Sequence, residues 1–397
     1  MTDRIRGTLT ERIHSLDTLR GAGVLGLVFL HGVVYYYANI DSVDFENPPV
    51  FIAIIGLMVL WGGMFAIISG CVNTYRYERR TSGVEDVPWN PRRRLILAGV
   101  ALLVLHVLYN AVAAPTSFDF DTGVHKYGIV ADLLRNGSVN LSATRIVEGT
   151  SLLMLGLNLM VLAILLPTLS RSKRPIVLSC VFAAVFMAAG LLRFVFLPIY
   201  QSLVDSRQYV LAFLLSPLAA KPYPVLPYLA FGIAGSAFGF ALARHGRAPR
   251  FAWLAGVGLM VAGALGVVFL PTDLVGADLF WYSKVYLELG VFVLFTWAVL
   301  RISGAGKPSH HIIQRIGRMS LTVFLIQTPL AELLAAAMTV IYPGWNDTIP
   351  AVVIFGLANA VFWLAIVAVW SRWPRATVEG LWVRVFRGST KLHGAWD

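Results

Sequence analysis

Apolar residues run along this chain in blocks too long for a half-buried strand and too unbroken for the stripe of a soluble amphipathic helix. Blocks of roughly 18–25 apolar residues have the length a helix needs to cross a bilayer. Ten are predicted, at 18–38, 50–75, 94–114, 146–168, 175–198, 223–243, 251–271, 283–301, 319–341 and 350–371. The pattern therefore predicts an all-α polytopic membrane protein, a single membrane domain over 1–397. Residues 1–17 and 372–397 are read as cytoplasmic tails and 115–145 as a long outer loop.

Composition agrees and removes alternatives. The 397 residues are 57% hydrophobic and 13% charged. Soluble domains lie nearer 45–50% apolar and about 25% charged, and one anchor on a soluble domain would not reach these values. The net charge of +11 points to anionic lipid headgroups and not to nucleic acid, because the basic residues sit in short loops between spans.

Those loops set the orientation. Arginine and lysine crowd the N-terminal tail, 76–94, 170–174, 243–250, 301–318 and the C-terminal tail. The opposite loops, 39–49, 271–283 and 342–350, are nearly free of them and carry several aspartates. Positive loops face the cytoplasm, so the expectation is a multi-pass plasma-membrane protein with both termini inside. The first span exits through Tyr35, Tyr36 and Tyr37 with no small-residue cleavage site, and is read as a retained helix. In 377–388, Val378, Leu381, Trp382, Val385 and Phe386 oppose Arg384 and Arg387, the pattern of an amphipathic interfacial helix. Cys71 and Cys180 sit in or beside apolar runs and give neither a disulfide framework nor a metal site.

An ionisable group inside a span costs at least ~2.5–3.5 kcal/mol and is a functional candidate for that reason. Asp17, Arg20 and His31 belong to the first span. At 100° and 1.5 Å per residue, the steps from Arg20 to His31 make three turns plus about 20° and rise about 16 Å. The two share one face, Arg20 at the cytoplasmic mouth and His31 near mid-bilayer, with Asp17 one turn before Arg20 and able to hold it. His106 and Asn110, four apart, are candidates for lining a cavity; Glu148, Asn158, Gln327, Glu332 and Asn359 complete the polar positions of interest. Lys284 and Glu288 are spaced to pair, Arg193 to reach the headgroups from a helix end, and Gly232, Gly235 and Gly239 to pack helices closely. The sequence contains no P-loop, nucleophile elbow or zinc-protease motif.

The stretch LDTLRGAGVLGLVFLH (16–31) resembles the first-helix signature of the transmembrane acyltransferase superfamily. That group covers acyltransferase-3, heparan-glucosaminide acetyltransferase-like and YeiB-like proteins (domain of unknown function 418). FAIISGCVNTYRYERR (65–80), PRRRLILAG (91–99), YPVLPYLAFGIAGSAFG (223–239), IGRMSLTVFLIQTPL (316–330) and ATVEGLWVRVFRG (376–388) are similar to further segments of it. The resemblance implies ten or eleven helices and transfer of an acyl group, acetyl by default, from cytoplasmic acyl-CoA. The acceptor it implies is a sugar of an envelope glycan or glycolipid on the far side, and no metal is expected. In the acyltransferase-3 branch an arginine and a histidine with ten residues between them are functional, a spacing Arg20 and His31 match. Gln327 stands where that branch often has histidine.

Together these readings give Asp17, Arg20 and His31 as the catalytic set, with His31 a general base or an acylated relay. Arg92, Arg93, Arg94 and Arg318 are expected, with Arg20, to hold the donor's phosphates. His106, Asn110, Glu148, Asn158 and Gln327 are expected to bind the acceptor. A secondary transporter with a His/Arg site in the membrane and a non-catalytic relative are the alternatives; nothing in the sequence sets the oligomeric state.

Overall fold

The computed structural model describes residues 13–40, 61–81, 90–115, 117–119, 124–139, 143–220, 222–269, 279–303 and 311–387. Helices α1 (His14–Val34), α2 (Gly62–Thr81) and α3 (Pro91–Val112) come first. A small antiparallel hairpin follows, β1 (Ser117–Asp119) with β2 (Val124–Lys126), Phe118 opposite His125. Next are α4 (Ile129–Asn136), α5 (Ala143–Val147), α6 (Ser151–Arg171), α7 (Pro175–Ala189), α8 (Arg193–Asp205) and α9 (Tyr209–Ala219). The chain ends with α10 (Val225–His245), α11 (Ala252–Phe269), α12 (Leu279–Ser303), α13 (Ile312–Arg318), α14 (Ser320–Ile341), α15 (Ile349–Trp370) and α16 (Val378–Arg387). Local chemistry marks several ends. Pro91 and Pro175 open helices at the position where a missing N–H costs nothing. Gly137 and Gly246 close α4 and α10 in the left-handed conformation.

Among the described residues, nine helical stretches are long and apolar enough to cross a membrane. The all-α membrane class read from the pattern is the class observed. Residues 50–60 of the second expected span lie outside the described residues, and the remainder belongs to α2, which runs on to Thr81. Two boundaries move. The fourth span starts at Ser151, so Glu148 precedes the helix. The fifth continues past 198 to Asp205, through a 3-10 turn at Gly190–Leu192. Helix α9 falls between the expected spans; its 11 residues are too few for a spanning window to register.

Packing divides the chain into two units. The first holds residues 1–16, 62–106 and 147–308. Its centre is the pair α2 and α10: a Cβ on Gly70 would strike the Gly232 carbonyl, and one on Gly235 the Ile67 carbonyl. The expected glycine packing on α10 is what these contacts deliver. Asn158 on α6 donates to the Tyr228 carbonyl at 3.3 Å, and the Tyr228 hydroxyl donates to Glu288 on α12 at 3.0 Å. At the ends of α2 and α10, Arg244 pairs with Glu78 at 3.0 Å.

The second unit holds residues 17–61, 107–146 and 309–397. Helix α1 is clamped at both ends. Near its start, Gly21 meets the Ile313 carbonyl and Gly317 meets the Asp17 carbonyl, so α1 and α13 touch backbone to backbone. Near its end, a Cβ on Gly32 would lie 2.7 Å from Cα of Gly356 on α15. Leu30, Val33, Tyr36, Ala331, Ala335, Trp345, Val352 and Phe355 form one apolar cluster that joins α1, α14 and α15. The result is a fixed frame around His31.

Candidate functional site

His31 is the residue before Gly32, so the close approach of α1 to α15 also sets where its ring can go. Its Nδ1 lies 3.0 Å from Nε2 of Gln327 on α14. The Tyr35 ring meets it edge-on, centroids 4.8 Å apart. With the amide nitrogen facing Nδ1, the ring accepts there and carries its proton on Nε2. A half-turn of the amide places its oxygen on Nδ1–H and leaves the Nε2 lone pair free. His31, Gln327, Tyr35, Tyr36, Asn359 and Pro115 line a common narrow pocket that does not admit a whole water molecule.

Three turns earlier on α1, Arg20 sits 3.6 Å from the Asp17 carboxylate, which is itself buried. Arg318 ends α13 directly after Gly317, the residue pressed on the Asp17 backbone. The structure thus brings Asp17, Arg20 and Arg318 to one end of α1 and His31 with Gln327 to the other. Thr18 and Gln314 join the same two helices through a 3.1 Å bond.

Described residues between 113 and 146 make specific contacts near the His31 end. Arg135 on α4 forks onto both carboxylate oxygens of Glu332 on α14, each at 2.9 Å. The rings of Tyr36 and Tyr127 lie 5.1 and 5.9 Å from its guanidinium carbon. Arg145 donates to the Pro115 carbonyl, and Asn110 holds the Arg145 carbonyl at 3.0 Å. Pro115, a wall of the His31 pocket, is therefore tied to α5 and α3.

A family model described as an acyltransferase domain, acyltransferase-3, matches residues 13–370. The chain belongs to that family. No curated protein and no solved structure matches it. Family and spanning helices together make it a membrane acyltransferase.

The other expected residues of this acyltransferase are divided between the two units. Arg92, Arg93 and Arg94 open α3 in the first unit, with Arg92 donating to the Ala163 carbonyl at 3.3 Å. His106, also in the first unit, is fully buried with Nδ1 2.7 Å from the Thr150 hydroxyl and its ring stacked on Phe213. Asn110 falls in the second unit. Asn158 is used in helix packing, and Glu148 is half-buried between α5 and α6. Neither His106 nor Asn110 lines the pocket beside His31.

Arg193 departs from expectation altogether. It does not reach toward a surface but is 1% exposed, donating to the Ala219 carbonyl at 3.1 Å with Trp281 4.6 Å from its guanidinium carbon. Glu288 accepts from Tyr228, a partner that spacing along α12 did not suggest. The sequence reading also missed Arg135. Its signal was an arginine in the 115–145 loop together with an ionisable Glu332 inside a span.

Proposed function

We propose that this acyltransferase moves an acyl group, acetyl by default, from cytoplasmic acyl-CoA to an acceptor outside the plasma membrane. The acceptor class is a sugar hydroxyl or amine of an envelope glycan or glycolipid. Both termini are assigned to the cytoplasm from the crowding of lysine and arginine in alternate loops. The observation that carries the reading is the placement of His31, held by Gln327 at a pocket, about 16 Å along the same helix face from an arginine held by Asp17.

The chemistry follows from that separation. Donor phosphates suit guanidinium forks, and Arg20 with Arg318 supplies them at one end of α1. The thin arm of the donor then runs along α1 and brings its thioester to His31. There the imidazole takes the acceptor's proton, work for which its ordinary pKa near neutrality fits it and which typically contributes 10²–10⁴-fold. That base needs its lone pair on Nε2, so in the working enzyme the Gln327 oxygen accepts from Nδ1–H. Gln327 is assigned here to the base and not to the acceptor. The pocket must widen to admit both substrates.

The test is thermal stabilisation of purified protein by acetyl-CoA, longer acyl-CoAs and free CoA, since a ligand that binds only the native state raises its stability. Selective stabilisation by an acyl-CoA, weakened in Arg20→Ala, is expected. Transfer should vanish in His31→Ala while the protein stays folded in the membrane. Full transfer by that variant removes the assignment, and solute-driven proton flux without CoA would replace it with a transporter.

A further inference from the structure

Asn359 lies on α15 and lines the pocket beside His31 and Gln327. It is 2% exposed. Its carboxamide has no hydrogen bond among the described residues, and its Oδ1 is completely enclosed. The amide nitrogens of the other buried asparagines are used: Asn110 donates to the Arg145 carbonyl and Asn158 to the Met154 and Tyr228 carbonyls, although the Asn158 Oδ1 is likewise without a partner. Leaving a buried amide unbonded costs about 1–3 kcal/mol. Helix α15 is otherwise apolar around this position.

The register of α15 aims the amide at the reacting site. Gly356 is the point at which α15 meets α1 beside Gly32. Asn359 follows three residues later, on the same helix face, and His31 precedes Gly32. A polar group without a partner is thus carried to the pocket by the same contact that positions the base.

We infer that Asn359 is a catalytic residue that touches substrate: its Nδ2–H donates to the oxygen of the donor's thioester carbonyl. The inference rests on the reading of His31 as base. The acceptor oxygen or nitrogen bonds to the carbonyl carbon, and its proton passes to His31. The carbonyl π pair moves onto the oxygen, where Asn359 stabilises the developing charge. When the C=O bond reforms, the C–S bond breaks, and the sulfur leaves with the proton that His31 held. The product is the acylated acceptor and CoA thiol. No further reactant is needed. Donors placed where negative charge develops are worth about 10²–10³ in rate, and they cost the most in the empty enzyme, where they have nothing to hold.

The experiment measures thiol release from acetyl-CoA by membranes that carry the protein and its native acceptors, together with the unfolding temperature of purified protein. The variants are Asn359→Leu, which removes both poles of the amide, and Asn359→Asp, which keeps the oxygen and loses the N–H. Both should lower kcat by 10²–10³ with the KM for acetyl-CoA changed less than threefold. Asn359→Leu should unfold no earlier than the wild type. Unchanged kcat in either variant overturns the inference. So does a loss of kcat in Asn359→Leu that comes with a lowered unfolding temperature, because the amide would then be a structural bond. Wild-type membranes that release no thiol would overturn the acyl-CoA reading itself; the unfolding temperature of Asn359→Leu then judges the amide alone, and a lowered value rejects it.

Discussion

Arg135 on α4 and Glu332 on α14 face each other through two parallel bonds of 2.9 Å, both donated by the guanidinium. The carboxylate is 2% exposed and the guanidinium 30%. Removing one partner of a buried pair leaves the other charge uncompensated, at a cost of about 3–5 kcal/mol. Arg135→Ala is expected near the lower figure, since water already reaches part of the guanidinium. The double variant Arg135→Ala with Glu332→Gln should recover more than half of that loss in denaturant unfolding. A single variant as stable as the wild type would show that the fork carries no net energy.

Gln327 offers a test through pH. Replacing it with glutamate puts a carboxylate beside Nδ1, which favours the charged imidazolium. The ring then holds its proton to higher pH, so the acid limb of the kcat profile should move upward by one unit or more. The plateau above it should stay within about tenfold of the wild type, because Nδ1–H keeps an acceptor. Gln327→Leu should instead lower the plateau by about 10–100-fold, with the ring no longer oriented. Profiles of both variants that overlay the wild type would separate Gln327 from the base.

The contact of Gly32 with Gly356 predicts a loss of activity through position alone. A methyl group on Gly32 would sit 2.7 Å from the facing backbone, so α1 and α15 must part. Such overpacking costs about 1–3 kcal/mol. In Gly32→Ala the rate should fall further than the stability loss implies, because His31 is the neighbouring residue. The comparison is kcat against unfolding temperature. Gly137→Ala, at a turn with nothing within 4 Å of its Cβ, is the control: it strains a positive φ but leaves the His31 site alone.

What the sequence disclosed follows from the range of the interactions involved. The polar stripe of α1 is a matter of helical period, so Asp17 and Arg20 were found together as expected. Spans were legible because a bilayer demands apolar length, and α9 was not, because it is short. His31 with Gln327 and Arg135 with Glu332 join residues hundreds of positions apart, or nearly so, and no period links them. Arg193 looked like a headgroup contact because it stands near the end of an apolar run. Its partners, Ala219 and Trp281, come from other elements and enclose it. Asn359 was visible as a polar position in an apolar span, but its lack of a partner is a property of packing.

Glu379 supplies a pH-dependent prediction outside the spans. Its carboxylate accepts from the backbone N–H of Leu321 at 2.6 Å and of Thr322 at 3.2 Å, and from the Thr322 hydroxyl. It therefore caps the start of α14 from α16, the way a cap residue of the helix itself would. Burial pushes the Glu379 carboxyl above its ordinary value of 4.5, and the hydrogen bonds from Thr322 and the backbone only partly oppose that. A group with a raised folded-state pKa binds more protons folded than unfolded between the two values, so stability falls as pH rises through that interval. The contribution is whole below about 4.5, the unfolded value, and is gone above the folded one. Glu379→Gln keeps an acceptor oxygen but has no proton to lose, so its stability should be flat where the wild type declines. Glu379→Ala should cost about 1–2 kcal/mol at every pH, as loss of a cap does. Unfolding temperatures across pH 4 to 8 for the three proteins decide it: parallel curves for wild type and Glu379→Gln would mean that the carboxyl titrates as it does in the unfolded chain.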